Sequence, residues 1–151
     1  MISIMFVLCC STDLDIENDK FYDYLNDIEF SSSDLKSFDA VLIIPMDRCS
    51  NCVAQSAKFA SNQIDSLSNV LFIFNEIRTV KPLKIIYGLD IESTKNNVRY
   101  DISHKFGKSG LDFGNVGFYL LKDSKIIQKE VLNSSIVNES LESLKNIANS
   151  K

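Results

Sequence analysis

Two short apolar runs dominate the hydrophobic pattern of the chain, one over 40–44 and one over 70–74. Each run is unbroken and rich in β-branched or aromatic residues, which predicts a strand buried on both faces, as in a parallel sheet covered by helices. Between the runs, apolar residues recur at the spacing of one helix face. These residues are Val53, Ala57, Ala60, Ile64 and Leu67. The pattern predicts a β-α-β unit, for which a right-handed crossover is the default.

Shorter patterns predict the remaining elements. Two apolar-rich runs, Val116–Leu121 and Lys125–Leu132, are separated by a short polar segment, which indicates a β-hairpin. The last apolar residues recur at helical spacing and predict a C-terminal helix with Ser135 as its N-cap. Short helices are expected over Lys20–Ile28 and Ser103–Phe106, and short strands over Lys84–Tyr87 and Asn97–Tyr100. This order predicts an α/β fold with a mixed sheet and helices on both faces.

Composition and charge narrow the class of protein. A chain of 151 residues with 45% hydrophobic residues and a mean hydropathy of +0.01 is typical of one folded globular domain. Its net charge is −4, and its basic residues are scattered along the sequence. The sequence therefore offers no basic patch of the kind that binds nucleic acid.

The N-terminal segment, MISIMFVLCC, is apolar except for one serine, and the next ten residues are polar and acidic. This pattern resembles the end of a bacterial lipoprotein signal peptide, with Cys10 as the lipidated residue. It implies that 1–18 is a signal remnant with a polar tether and that the protein lies in the cell envelope, in the periplasm. The alternative is a first β-strand over Ile2–Leu8. The apolar run is too short to span a bilayer, which takes about 20 apolar residues.

The motif Cys49-Ser50-Asn51-Cys52 lies where the first strand is followed by the helix. A cysteine at a helix N-terminus meets unpaired backbone N–H groups and the helix dipole, both of which favour the thiolate. Arg48 adds a neighbouring positive charge. Cys49 is therefore the candidate nucleophile, and Cys52, one helical turn further on, is the candidate resolving thiol. A zinc site, a structural disulfide and two ordinary buried cysteines are the alternatives; zinc would need two more ligands.

Over 37–149 the sequence resembles the thioredoxin superfamily, in particular exported bacterial thioredoxin-like and redoxin-like proteins. The resemblance rests on the order of strand, CxxC motif, helix, strand, hairpin and final helix. The resemblance implies a thioredoxin-like three-layer α/β/α domain over 19–151, with Cys49 attacking and Cys52 resolving. The strand position of the family's buried carboxylate is Ile43 here. The position of its cis-proline is Val116, where a cis bond would cost about 2.5–4 kcal/mol, so a trans bond is expected. Arg48 and Val116 are expected to border the substrate groove.

These features predict a thiol–disulfide oxidoreductase for a restricted set of extracytoplasmic protein thiols and disulfides. Its expected partners are those proteins and an upstream thiol reductant or oxidant. No prosthetic group and no metal are expected, and the membrane is contacted only through the lipid anchor. One alternative is a non-catalytic module for binding or assembly. Another is a peroxiredoxin-like peroxidase, because the spacing from Pro45 to Cys52 matches that family's pattern with Cys52 as the attacking thiol. His104 is expected to be a solvated surface residue.

Overall fold

A mixed sheet with surrounding helices forms the fold. The computed structural model describes residues 11–48, 50–89 and 95–150. The helices are α1 (Ser11–Asp27), α2 (Ser50–Gln63), α3 (Lys81–Tyr87) and α4 (Val137–Asn149). The strands are β1 (Ala40–Pro45), β2 (Val70–Asn75), β3 (Val98–Tyr100), β4 (Gly117–Lys122) and β5 (Lys125–Val131). Short 3₁₀ helices cover Asp34–Ser37 and Phe106–Lys108.

The five strands form one sheet in the order β3-β2-β1-β4-β5. β1 pairs with β2 and β2 with β3 in parallel, whereas β4 is antiparallel to both β1 and β5. The predicted β-α-β unit, the β-hairpin and the mixed sheet are therefore confirmed. Because β1, β2 and β3 run in parallel, they end at one edge of the sheet, called the carboxyl edge below. Loops at such an edge are where open α/β sheets bind their ligands.

Strands β1 and β2 are buried on both faces, as the unbroken apolar runs predicted. Every residue of β1 and β2 is buried, and the side chains of each strand alternate between two core clusters. Leu42 and Phe72 belong to the cluster that contains the apolar stripes of α2 and α4. Ile43 and Ile73 belong to the cluster that contains α1 and the segment 106–113. The two clusters thus combine sheet side chains with different helices, α2 and α4 in one and α1 in the other.

Helix α1 begins at Ser11, well before the predicted start at Lys20. The segment 11–18, assigned from the sequence to a polar tether, is thus the first half of a helix. Asn18 joins it to β5, because its Oδ1 accepts the Ile126 N–H at 2.8 Å and its Nδ2 donates to the Ile126 carbonyl at 3.4 Å. Cys10, as the lipidated residue, and the alternative strand over 2–8 lie outside the described residues.

The strand predicted over Lys84–Tyr87 is wrong, because these residues belong to α3. Pro82 lies in the first turn of α3, and Gly88 ends it with a left-handed φ of 65°, a common helix terminus. Only Leu83 of this helix is buried, so no helical period was visible in the sequence. The adjacent isoleucines at 85 and 86, which looked like a strand, are exposed.

Two local assignments also differ from expectation. α4 has Ile136 at its N-cap position, so the expected cap at Ser135 is wrong. The Ser135 hydroxyl instead donates to Asn133 Oδ1 at 2.5 Å in the preceding turn. The turn of helix expected over Ser103–Phe106 is misplaced, because the 3₁₀ helix covers Phe106–Lys108 and shares only Phe106 with it.

Two buried tyrosines should make the fold sensitive to alkali. The Tyr119 hydroxyl donates to the Glu17 carboxylate, and burial, followed by that bond and charge, raises the pKa of Tyr119 above its ordinary value. Burial, followed by the charge of Asp101, raises the pKa of Tyr24. Above pH 10 the unfolded chain releases phenol protons that the folded chain retains. The free energy of unfolding should therefore fall, by about 1.4 kcal/mol per tyrosine at pH 11.

Urea denaturation between pH 8 and pH 11 measures this decline. Tyr119→Phe should flatten it, because one of the responsible phenols is gone. Tyr87→Phe, which removes a partly exposed phenol, is the matched control. An equal flattening in both variants would contradict the assignment to Tyr119.

Candidate functional site

The segment between β1 and α2 is held at the carboxyl edge by backbone hydrogen bonds. The Met46 N–H donates to the Asn75 carbonyl at 3.0 Å, and the Arg48 N–H donates to the Pro45 carbonyl at 3.3 Å. α2 then begins at Ser50. Cys49, the predicted nucleophile, directly precedes that residue in the chain and lies outside the described residues. The resolving cysteine of the prediction, Cys52, lies within them.

Cys52 is fully buried in the core cluster shared by α2 and α4. Its Sγ lies 3.4 Å from Nδ2 of Asn115, in the loop that precedes β4. The Asn115 Oδ1 accepts the Val116 N–H at 2.9 Å, which orients the amide with its nitrogen toward the sulfur. An N–H that donates to sulfur favours the thiolate over the thiol. The loop before the hairpin therefore contacts the CxxC motif and supplies it with a polar partner.

Val116, expected at the substrate groove, is fully buried. Its carbonyl accepts the Leu132 N–H at 2.8 Å. No peptide bond between described residues is cis, so the bond before Val116 is trans, as expected. The groove surface at this point is formed by Asn115, which the sequence analysis did not select. An asparagine that follows a glycine is usually a turn residue, so its sequence context did not distinguish it.

Two grooves open at the carboxyl edge. The groove beside the hairpin loop, called the hairpin groove, has a volume of about 270 Å³ and includes Pro45, Phe113 and Asn115 in its lining. The groove between α2 and α3, called the α3 groove, has a volume of about 410 Å³ and includes Ser50 and Ile86.

Arg48 and Glu76 line both grooves and therefore separate them. Arg48, predicted at the substrate groove, is half-exposed, and its Nε lies 3.5 Å from Oδ1 of Asp47. Oε2 of Glu76 lies 3.0 Å from Nδ1 of His104. His104 is at the surface, as expected, with 45% of its side chain exposed. The sequence did not reveal its pairing with Glu76, because the two residues are far apart in the chain.

The position where the resemblance places a buried carboxylate holds fully buried Ile43, in the cluster opposite to that of Cys52. Two other polar residues are buried near the carboxyl edge, and neither is a carboxylate without hydrogen-bond partners. Asn75, at the end of β2, is fully buried and uncharged. Asp101 is also buried, but its two oxygens accept the N–H groups of Lys105 and Phe106 at 3.0 and 2.8 Å. Asp101 therefore stabilises the turn after β3.

Within the described ranges, no cluster of three or more histidine, cysteine or acidic side chains could bind a metal ion. No helix among the same residues has the length and apolarity needed to cross a membrane. No protein-family model matches the chain, and no curated protein matches it. The site must therefore be interpreted from its own geometry.

Proposed function

We propose that this protein is a thiol–disulfide oxidoreductase of thioredoxin-like fold that acts through Cys49 and Cys52. The observation that carries the proposal is the contact of Asn115 Nδ2 with the buried Cys52 Sγ, at 3.4 Å, directly beside the start of α2. Two grooves open next to this point, and Arg48 lies between them. A cysteine pair that starts at a helix N-terminus, with a polar partner and open surface nearby, is suited to exchange disulfides.

In the proposed reaction, the Cys49 thiolate attacks a substrate disulfide. A new bond joins Cys49 to one substrate sulfur, the substrate S–S bond breaks, and the other substrate sulfur leaves as a thiolate. The Cys52 thiolate then attacks Cys49, which releases the second substrate thiol and leaves a Cys49–Cys52 disulfide. An upstream thiol reductant returns the pair to its reduced form, and the same steps in reverse oxidise substrate thiols.

The burial of Cys52 supports this division of roles. A fully buried sulfur is out of reach of a protein substrate, but it needs only to reach the neighbouring cysteine one helical turn away. The N–H of Asn115 stabilises the Cys52 thiolate that makes this second attack. Arg48, half-exposed and directly before Cys49, adds positive charge where the first thiolate is needed, and its pairing with Asp47 at 3.5 Å offsets part of that charge.

The fold elements support the thioredoxin-like, three-layer α/β/α assignment. The order β1-α2-β2, the antiparallel β4–β5 hairpin and the final helix α4 agree with the elements on which the resemblance rests. The core clusters place α2 and α4 residues against one set of sheet side chains and α1 residues against the other. This is the arrangement that a central sheet between two helical layers requires.

Trapping experiments test the proposed roles. In Cys52→Ser the mixed disulfide on Cys49 cannot be resolved, so disulfide-linked substrates should accumulate and be visible on non-reducing gels. Cys49→Ser is the matched control and should accumulate none. The Cys49 thiol should also alkylate at pH 7 at least about tenfold faster than a small-molecule thiol, because only the thiolate reacts. A Cys49 that alkylates no faster, with no trapped partners, would instead support the non-catalytic binding module.

The peroxidase alternative places the attacking thiol at Cys52, and the observed geometry weighs against it. Cys52 is fully buried and lines neither groove. The peroxiredoxin resemblance also implies a distant arginine that holds the attacking thiolate, and no arginine follows Arg99 in the sequence. The guanidinium of Arg99 lies over the Phe30 ring at 4.8 Å and donates to the Val98 carbonyl at 2.6 Å, on strand β3 at one edge of the sheet. Peroxide consumption that depends on Cys52 but not on Cys49 would overturn our assignment.

We also propose that the protein lies in the cell envelope, anchored through Cys10. Since α1 begins at Ser11, such an anchor would hold the folded domain close to the membrane surface. Mass spectrometry of the mature N-terminus tests this. A lipidated Cys10 is the expected result, and an intact Met1 would refute the anchor.

A further inference from the structure

The α3 groove combines exposed apolar surface with a concave shape. Helix α3 exposes 78% of Ile85 and 67% of Ile86, and Ile86 lines the groove together with Met46 and Val53. Ser50, the residue after Cys49, lines the same groove. The resemblance implies a substrate groove bordered by Arg48 and Val116. The α3 groove shares Arg48 with that surface and continues it toward α3, on the side away from Val116.

The charge around the α3 groove is positive. Two acidic residues lie in its lining: Asp47 pairs with Arg48 at 3.5 Å, and Oε2 of Glu76 lies 3.0 Å from Nδ1 of His104. The basic residues on its α3 side are exposed and make no ion pair with any described residue. These residues are Arg78, Lys81 and Lys84. Among the described residues of the groove lining and of α3, four basic side chains (Arg48, Arg78, Lys81 and Lys84) stand against two acidic ones (Asp47 and Glu76), a local excess of positive charge in a protein of net charge −4.

We infer that the α3 groove binds an extended segment of the substrate protein, next to its reacting cysteine, that combines an apolar side chain with acidic residues. This inference rests on the proposed oxidoreductase function. The apolar side chain would pack against Met46, Val53 and Ile86, which removes apolar surface from water. The acidic residues would lie against Arg78 and Lys84, which selects the partner by charge complementarity.

Binding is tested without any thiol chemistry. Two fluorescein-labelled peptides are compared, one with leucine flanked by glutamates and one with the glutamates replaced by lysines, each with serine in place of cysteine. Fluorescence anisotropy with the full chain should show at least tenfold tighter binding of the acidic peptide at 50 mM salt. The preference should shrink at 500 mM salt, because salt screens exposed charges.

Variants locate the binding surface. The double variant Arg78→Glu with Lys84→Glu should lose the acidic preference, whereas Lys58→Glu, on an exposed position of α2 outside the groove, should keep it. Ile86→Ser should weaken binding of both peptides. Ile127→Ser, which alters an exposed isoleucine of β5, is its matched control. Equal binding of the two peptides, or equal loss in the control variants, would overturn the inference.

A kinetic experiment distinguishes failure of this inference from failure of the proposed function. The same peptides, with cysteine present as a mixed disulfide with thionitrobenzoate, release a coloured thiol when Cys49 attacks. Faster release from the acidic peptide supports both proposals. Equal release from both peptides supports the oxidoreductase and overturns the groove, whereas selective anisotropy without release supports the groove and overturns the oxidoreductase. Binding to anionic lipid vesicles through Lys84, with no peptide preference, would assign α3 to a membrane and contradict our inference.

Discussion

Replacing Asn115 by aspartate is expected to slow resolution of the mixed disulfide on Cys49 by about ten- to a hundredfold. The substitution removes the N–H that donates to Cys52 Sγ at 3.4 Å and puts a carboxylate in its place. A like charge beside a buried sulfur disfavours the thiolate, and each 1.4 kcal/mol of that effect lowers the thiolate fraction about tenfold. Because Cys52 attacks as a thiolate, the rate of resolution should fall with that fraction.

The measurement isolates the second step. Cys49 is first loaded with a chromogenic thiol, and the rate at which Cys52 displaces it is followed by stopped flow. The slow rate of Asn115→Asp should recover as the pH rises, because the thiolate fraction increases. Asn115→Ala removes the donor without adding charge and should have a smaller effect. Asn62→Asp, at an exposed position of α2, is the matched control for the added charge and should react like the wild type. An unchanged rate in Asn115→Asp would show that the contact does not assist catalysis.

Gly117→Ala is expected to lower the free energy of unfolding by about 3 kcal/mol or more. A Cβ at this position would lie 1.9 Å from Cδ1 of Phe113 and 2.7 Å from the backbone carbonyl oxygen of Glu130. Phe113 is buried against Tyr119, so its ring cannot simply turn away. The Glu130 carbonyl belongs to β5, which pairs with β4, so relief would require the strands to separate locally. Overpacking of a core against rigid neighbours is among the more costly single substitutions.

Urea denaturation at pH 7 measures this loss. Gly114→Ala is the control, because a Cβ there meets no atom within 4 Å although the residue has a left-handed φ of 64°. It should cost only about 1–2 kcal/mol, from backbone strain alone. Equal losses in the two variants would mean that the close approach of Phe113 and Glu130 to Gly117 does not matter.

Elements whose buried residues form an unbroken run or recur at helical spacing could be predicted from the sequence. β1 and β2 were visible because both faces of each strand are buried, and α2 because its buried stripe recurs at helical spacing. α3 was missed because it buries only Leu83 and exposes two adjacent isoleucines. The first half of α1 was missed because contacts such as the one between Asn18 and Ile126, far apart in the chain, hold it to the sheet.

The CxxC motif could likewise be identified from the sequence, since its spacing and its position before an amphipathic helix are both visible in neighbouring residues. The environment of the motif could not be identified from the sequence. Asn115 approaches Cys52 only because β4 pairs with β1, which brings a loop from late in the chain to the start of α2. The basic, apolar surface of the α3 groove likewise requires α3 to be a helix. The sequence by itself determined which side chains could react. The pairing of distant strands decided which residues surround these side chains. Such pairing depends on contacts between segments far apart in the chain, which a local sequence pattern does not show.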